Sequence, residues 1–353
     1  MSQTIPCIIM RGGTSRGPYL QISDLPQDRD ACADVLMKIM GSGHELQLDG
    51  IGGGNSLTSK VAMVGKSTHP DADVDYLFAQ VAITEKSVDF SPNCGNMLAG
   101  VAPYAIETGL FPASEGKTTV RIHNLNTGKI IHSTVQTPNG KVNYAGDTII
   151  SGTNSPSAPI ELTFFNVEGA KTGKLLPTGN LSDIIDSVEV TCIDAATPVV
   201  LIKASDLGKT GYETPAELDS DLDFMTRLEA IRLQAGKLMG MGDVSKSVIP
   251  KPILLALPQS GGSISARYFV PHKCHKALAV TGSIAIVTAC CLPGTVASKL
   301  IGEDDSVSYF SLEHPSGTIE LTAQRKEDNL SSLNSVSLIR TAKKIMSGTI
   351  ELS

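Results

Sequence analysis

The sequence predicts an α+β protein of two domains, and three observations carry that prediction. The chain has 353 residues, more than one hydrophobic core usually serves. Its 33 glycines and 19 prolines, beside only 4% aromatic residues, favour many strands joined by tight turns. Apolar residues recur at helical spacing in only a few stretches, set among more that alternate.

Taken in order, residues 5–10 read as a buried strand running into Arg11-Gly12-Gly13-Thr14-Ser15-Arg16-Gly17. Residues 28–40 carry Ala31, Val35, Leu36, Ile39 and Met40 at helical spacing and predict a helix ending at Gly41. A glycine-rich loop, 49–60, leads into alternating Val61 to Val64, so Lys60 sits at a loop–strand junction. Strands are expected within 73–84 and 118–138, the latter a hairpin turning at Asn126-Thr127-Gly128, with a further short strand at 142–144. Residues 151–159 read as loop and 171–177 as strand and turn. The second half opens with strands 188–192 and 198–202, then a long helix, 219–239, and strands 252–257 and 263–270. Last come a polar run, 271–278, the turn Thr281-Gly282-Ser283 and an apolar helix, 284–291.

Composition narrows the function classes. The net charge is −7, and lysines and arginines form no dense run interleaved with aromatics, which argues against nucleic-acid binding. A few arginines in one pocket can still bind a small anion. The seven cysteines have no framework spacing, so free thiols in a reducing compartment are expected. Residues 1–10 lack a basic n-region and are broken by Pro6, and no run approaches ~18 apolar residues. The expectation is a cytoplasmic protein with no membrane span. The oligomeric state stays open, a homo-oligomer among the options.

The chemistry centres on Ser91-Pro92-Asn93-Cys94-Gly95-Asn96-Met97, turn residues followed by apolar ones at helical spacing, with Gly109 at the expected C-terminal cap. A thiol at a helix start faces unpaired N–H groups and the positive end of the helix dipole, which favours the thiolate. The N–H groups of Gly95, Asn96 and Met97 would suit a carboxylate. Arg11 and Arg16 flank two hydroxyls, and a guanidinium grips carboxylates with two parallel bonds. Two nucleotide motifs fail: Lys60 follows Ser59 and precedes Val61, which is no phosphate-binding loop, and Asn55 breaks the dinucleotide glycine pattern. Partial burial at Lys60 would favour the neutral amine that can act as a base. His272, Cys274 and His275 are spaced too tightly for a usual zinc site and have no second pair, so no metal is expected. A weak internal echo links Cys94-Gly95-Asn96 to Thr281-Gly282-Ser283, each before a helix.

These motifs together, with Gly50-Ile51-Gly52-Gly53-Gly54-Asn55, Thr58-Ser59-Lys60 and His275-Lys276-Ala277, resemble the 2-methylaconitate isomerase / 4-oxalomesaconate tautomerase family. That family is similar in fold to diaminopimelate epimerase, and the resemblance covers essentially the whole chain. It implies two similar domains, each a β-sheet wrapped around a central helix, with boundaries expected at 1–184 plus 335–353 and at 185–334. It implies no cofactor and no metal, and it places the family's lysine and cysteine pair on Lys60 and Cys94.

An epimerase needs a thiol on each face of its substrate, whereas the second turn here offers Thr281, a far weaker acid. A proton shift along an unsaturated system remains open. The leading expectation is therefore an isomerase acting on an unsaturated tricarboxylate, 4-oxalomesaconate above all. The form of 49–60 looks closest to the tautomerases, and a place in gallate breakdown rather than propionate breakdown would mark them. Lys60 would be the base, and Cys94 would handle the second proton or steady developing charge. Arg11, Arg16, Lys273 and His275 would neutralise carboxylates. Ser15, Ser59, Gly95, Asn96, Gly282 and Ser283 would place donors, with Asn55, Asn93, Met97 and Thr281 completing the site. The alternatives are 2-methylaconitate cis–trans isomerisation and, in another class, a non-catalytic carboxylate-binding protein. An amino-acid epimerase and a cysteine hydrolase are weaker.

Overall fold

The chain divides into two units, Met1–Thr163 with Ile339–Ser353, and Phe164–Leu338. The computed structural model describes residues 3–270, 272–302, 308–326 and 333–352; residues 1, 2, 271 and 353, named in the expectations above, lie outside them.

In the first unit, β1 (Gln3–Gly12) turns back into β2 (Ser15–Gln21), and α1 (Arg29–Met40) follows. Asp28 caps α1 by accepting from the Ala31 N–H, and Gly41 ends it in the left-handed conformation, as the sequence pattern required. β3 (Lys60–Lys66), β4 (Val74–Val81) and the short β5 (Val88–Asp89) lead to α2 (Gly95–Leu98) and α3 (Val101–Glu107). β6 (Gly116–Asn124) and β7 (Lys129–Thr137) form the expected hairpin, and β8 (Ile160–Phe165) leads out of the unit. The pairings run antiparallel for β1 with β2, parallel for β2 with β3, antiparallel for β3 with β4, parallel for β4 with β6, and antiparallel for β6 with β7. The chain's final strand, Ala342–Leu352, pairs with β1 and so belongs to this unit.

Strand alternation gives this sheet two faces. Val61, Met63, Leu77 and Ala79 bury against Cys32, Leu36, Ile39 and Met40 of α1. Fully burying a valine, leucine, isoleucine or methionine side chain stabilises a fold by about 1.5–3 kcal/mol. The opposite face meets α2 and α3, which pack on β1, β2, β3, β6 and β7 and form the central helical element.

The second unit repeats the scheme. It holds β9 (Asp183–Ile185), β10 (Val188–Ala195), β11 (Thr197–Lys203), α4 (Pro215–Ser220), α5 (Leu222–Leu238), β12 (Lys251–Ala256) and β13 (Ile264–Tyr268). Then come α6 (Val280–Cys290), α7 (Val296–Ile301), β14 (Tyr309–His314), β15 (Gly317–Arg325) and β16 (Leu333–Arg340), which leads back to the final strand, β17. From β10 to β15 the successive pairings are antiparallel, parallel, antiparallel, parallel and antiparallel, the same series as in the first unit. α5 covers one face of these strands through Phe224, Leu228, Ile231 and Ala235, while α6 packs on β10, β11 and β15 as the central helix. Each unit is thus a sheet wrapped around a helix.

Several expected boundaries move. The helix after Cys94 is broken at Ala99 and Gly100, because Pro103 has no N–H to offer the Ala99 carbonyl four residues back. The helix expected over 219–239 is two, since Asp221 leaves helical geometry to cap Phe224. Residues 142–144 form no strand. The unit boundary falls after Thr163 and not after 184. Residues 164–184 are tied into the second unit by Asp194, whose carboxylate accepts from the Lys171 and Thr172 N–H groups at 2.8 and 2.7 Å.

Candidate active site

Lys60 opens β3 directly opposite Gln80 of β4. Its Nζ donates to Gln80 Oε1 at 2.6 Å and lies 5.1 Å from the centre of the Phe78 ring. Gln80 in turn donates to the Ser59 carbonyl at 2.8 Å, so one amide ties the amine to the loop before it. Residues directly opposite in an antiparallel pair share a face. Lys60, Phe78 and Tyr76 therefore all project toward α2 and α3, and the Tyr76 hydroxyl donates to the Cys94 carbonyl at 3.2 Å. Lys60 and the Cys94 turn stand on one face of one sheet. Gly17 permits this arrangement: a Cβ there would come within 1.9 Å of the Lys60 carbonyl oxygen.

Six of the seven cysteines are buried, and Cys94 alone is half-exposed. Burial pushes the thiols of Cys7, Cys32 and Cys290 up, and those of Cys192 and Cys274 to about 12, so these five stay protonated and unreactive. Cys94 occupies the N-cap of α2 with extended backbone (φ −130°, ψ 98°), and no side chain caps the turn. The N–H groups of Gly95, Asn96 and Met97, as the first of a helix, have no partner within it. The flanking side chains anchor the turn to the same unit. Asn93 Oδ1 accepts from Asn124 at 2.7 Å, Asn96 Nδ2 donates to Thr14 Oγ1 at 3.0 Å, and the carbonyl of buried Met97 accepts from Tyr19 at 2.5 Å. Burial, and then the Cys94 thiol nearby, hold the Tyr19 and Tyr76 phenols well above their ordinary range, which keeps both as proton-bearing donors.

The two arginines part company. Arg11 donates to the Gly13 carbonyl at 2.7 Å, to Thr341 Oγ1 at 3.0 Å and to Ser157 Oγ at 3.1 Å. It clamps the β1–β2 turn to neighbouring chain segments, a role that residue type alone does not distinguish from carboxylate binding. Arg16 is exposed, its guanidinium has no partner among the described residues, and its Nη2 reaches the glycine run, 2.9 Å from where a Gly53 Cβ would sit. The hydroxyls part in the same way. Ser59 is buried, donates to the Val81 carbonyl and accepts from Gln47, both at 2.8 Å, so both its hydrogen-bonding roles are internal. Ser15 is buried, and its Oγ has no hydrogen-bond partner among the described residues. Asn55 is exposed, with its oxygen accepting from the Leu57 N–H.

On the second unit, the Thr281-Gly282-Ser283 motif lies inside α6, which starts at Val280, and does not precede the helix. Ser283 is buried, and its hydroxyl donates back to the Val280 carbonyl at 2.8 Å, as helical serines do. Tyr268 of β13 gathers the remaining residues. A Cβ at Gly282 would meet its ring at 2.4 Å, and the His275 ring stands edge-on to it with centroids 6.0 Å apart. His275 Nδ1 accepts from the Ala277 N–H at 2.9 Å, which places any ring proton of the neutral form on Nε2. Lys273 is exposed in a turn closed by the Val270 N–H to its own carbonyl.

Sequence reasoning passed over Gln47, Tyr76, Gln80 and Tyr268. Alternation of Tyr76, Phe78 and Gln80 was the available signal, but the register that sets Gln80 against Lys60 is a tertiary fact. Among the described residues no group of three or more His, Cys, Asp or Glu side chains is placed to hold a metal ion, and no helix is long and apolar enough to cross a membrane.

Comparison with known proteins bears on this site. A profile of the family described as PrpF protein matches residues 2–353. The protein named Putative isomerase YbhH of Escherichia coli (strain K12), a name that states no substrate, is 54% identical over 99% of both chains. A 4-oxalomesaconate tautomerase of Pseudomonas putida is 48% identical, covering 99% of this chain and 97% of its own. Among solved structures, a methylitaconate-delta-isomerase superposes with a TM-score of 0.89 at 36% identity, covering 99% of this chain and 96% of its own. A hydroxyproline epimerase of Agrobacterium vitis, at a TM-score of 0.56 and 12% identity over 99% and 93%, shares the fold alone.

Proposed function

Because the chain belongs to the PrpF protein family and is an isomerase, we propose that it moves a proton within an unsaturated tricarboxylate, with 4-oxalomesaconate as the substrate. One observation carries the assignment of roles: Lys60 and the half-exposed Cys94 stand on the same face of the first unit's sheet, while every other thiol is buried. Lys60, as the free amine, takes a proton from the carbon next to the carbonyl. The electrons move into the unsaturated system and create an enolate-like anion. Gln80 fixes the amine's direction without taking its charge. The N–H groups of Gly95, Asn96 and Met97 and the hydroxyl of Ser15 are donors for that anion, in place before charge develops. Arg16 neutralises a carboxylate, while Arg11 and Ser59 hold the backbone that presents it. Cys94 returns a proton at the second position or stabilises the anion beside it.

The fuller reading rests on the tautomerase at 48% identity and on a second oxalomesaconate isomerase, from Novosphingobium, at 44%. The structural likeness to a methylitaconate isomerase favours a second reading, an allylic shift without a keto group. Turnover of 4-oxalomesaconate, 2-methylaconitate and methylitaconate, followed by ultraviolet absorbance, separates the two. The test of mechanism is hydrogen exchange in D₂O, read by proton NMR. Wild type is expected to exchange the migrating proton, and Lys60→Ala to lose about 10²–10⁴-fold in exchange and turnover. Unchanged exchange in Lys60→Ala would remove the lysine from its role.

A further inference from the structure

Two buried tyrosines donate to carbonyls of the helix start that follows Cys94. Tyr19 of β2 reaches the Met97 carbonyl at 2.5 Å, and Tyr76 of β4 reaches the Cys94 carbonyl at 3.2 Å. The second bond falls on a peptide unit with two consequences. The Cys94 carbonyl and the Gly95 N–H are the two ends of one planar, conjugated group. A donor on the oxygen polarises that group and makes its N–H a stronger donor in turn. The Leu98 N–H reaches the same oxygen at 3.0 Å, so the carbonyl accepts two bonds. The Gly95 N–H, at the first position of α2, has no partner within the helix.

Holding the turn in place does not need the Tyr76 hydroxyl. Asn93, Asn96 and Met97 are already anchored, to Asn124, Thr14 and Tyr19. Tyr76 is fully buried, and its burial, with the Cys94 thiol nearby, keeps the phenol protonated and able to donate. Away from water such a bond polarises its acceptor more strongly.

The second unit supplies a comparison. Lys251 opens β12 as Lys60 opens β3. It lies 5.4 Å from the centre of the Tyr268 ring on β13, as Lys60 lies 5.1 Å from that of Phe78 on β4. In β4 the residue two before the ring is Tyr76, whereas in β13 it is Ala266, which has no hydroxyl. The start of α6 has no cysteine either. Hydroxyl and thiol occur together in one unit and are absent together from the other.

We propose that Tyr76 is a positioning residue for the reaction: through the Cys94–Gly95 peptide its hydroxyl strengthens the Gly95 N–H, and so stabilises negative charge at the helix start, on the Cys94 sulfur and on the enolate-like intermediate alike. The part that concerns the intermediate rests on the function proposed above, and the part that concerns the sulfur does not.

The experiment uses the full chain and two readouts. The first is the rate of Cys94 alkylation by iodoacetamide as a function of pH, which needs no substrate. Tyr76→Phe keeps the ring and removes the hydroxyl, and it is expected to move the midpoint up by about 0.5 pH unit, about 3-fold less thiolate at a given lower pH. The second is steady-state turnover of 4-oxalomesaconate, where kcat is expected to fall about 3–10-fold with KM near wild type. Placing 3-fluorotyrosine at position 76 makes the phenol a stronger donor, and the alkylation midpoint is expected to move down, a reversal that a merely structural hydroxyl would not produce. An unmoved alkylation profile in folded Tyr76→Phe overturns the proposal, whatever happens to the melting temperature. Failure of wild type to turn over any unsaturated tricarboxylate, with the alkylation shift intact, overturns the function and leaves the role of Tyr76 at the thiol standing.

Discussion

The two units follow one series of strand pairings and place a lysine over an aromatic ring at the same point, yet they use it differently. In the first, the amine is tied to Gln80, and the helix start presents a thiol. In the second, the amine has no hydrogen bond or ion pair among the described residues, and the first turn of the helix presents Thr281 and no cysteine. A hydroxyl is too weak an acid to stand in for a thiol near neutral pH. The lesson is that a repeated backbone places groups at equivalent points, while the residue at each point decides whether it moves a proton or only holds charge.

That contrast can be broken most forcefully at Cys94. Cys94→Ser keeps size and hydrogen bonding but removes the acidic proton, and turnover is expected to fall about 10²-fold. Solvent exchange at the first carbon, measured by NMR, should then outlast turnover if the thiol handles only the second proton. Equal loss of both assigns it to stabilising the anion. A smaller effect is expected at Arg16, the arginine with no partner among the described residues: Arg16→Met should raise KM about 10-fold, the scale of one charge-assisted contact, with kcat less affected. Arg11→Met should instead lower the melting temperature, because its bonds hold the chain.

The smallest effect sharpens the comparison from the other unit. A lysine whose value is lowered by folding binds fewer protons folded than unfolded between its lowered value and the ordinary value of about 10.4, so stability rises with pH across that window. Below it the half-buried ammonium of Lys251 is a cost, with the Tyr268 ring against it and, among the described residues, no hydrogen bond or ion pair. Lys251→Met should therefore stabilise the protein near neutral pH, read as a higher melting temperature. The gap should close as pH approaches the ordinary lysine value. A gap that widens with pH would show that the ammonium is stabilising where it stands.

Much of this was legible from residue types. The turn around Cys94 declares itself because proline, asparagine and glycine seldom crowd a packed strand. Lys60 stands out as the first polar residue before an alternating run. α1 was readable from its cap, its spacing and its closing glycine, all local signals. The division of labour among Arg11, Arg16, Ser15 and Ser59 was not, since each is polar in a glycine-rich loop and only the folded partners separate them. The extent of the helix after Cys94 depended on one proline whose effect falls on a carbonyl four residues earlier.

The sequence by itself determined the class of fold, the family, and the lysine and cysteine around which a proton shift can be built, because these rest on composition and on short runs whose chemistry is local. The tertiary structure alone decided that Gln80 holds the Lys60 amine, that Tyr76 reaches the Cys94 turn, and that Lys251 repeats Lys60 without its partner. Strand register is the reason: a shift of one residue turns every side chain to the opposite face, and the pairing that sets it joins segments distant in sequence, from Lys60 with Gln80 to Gln3 with Leu352.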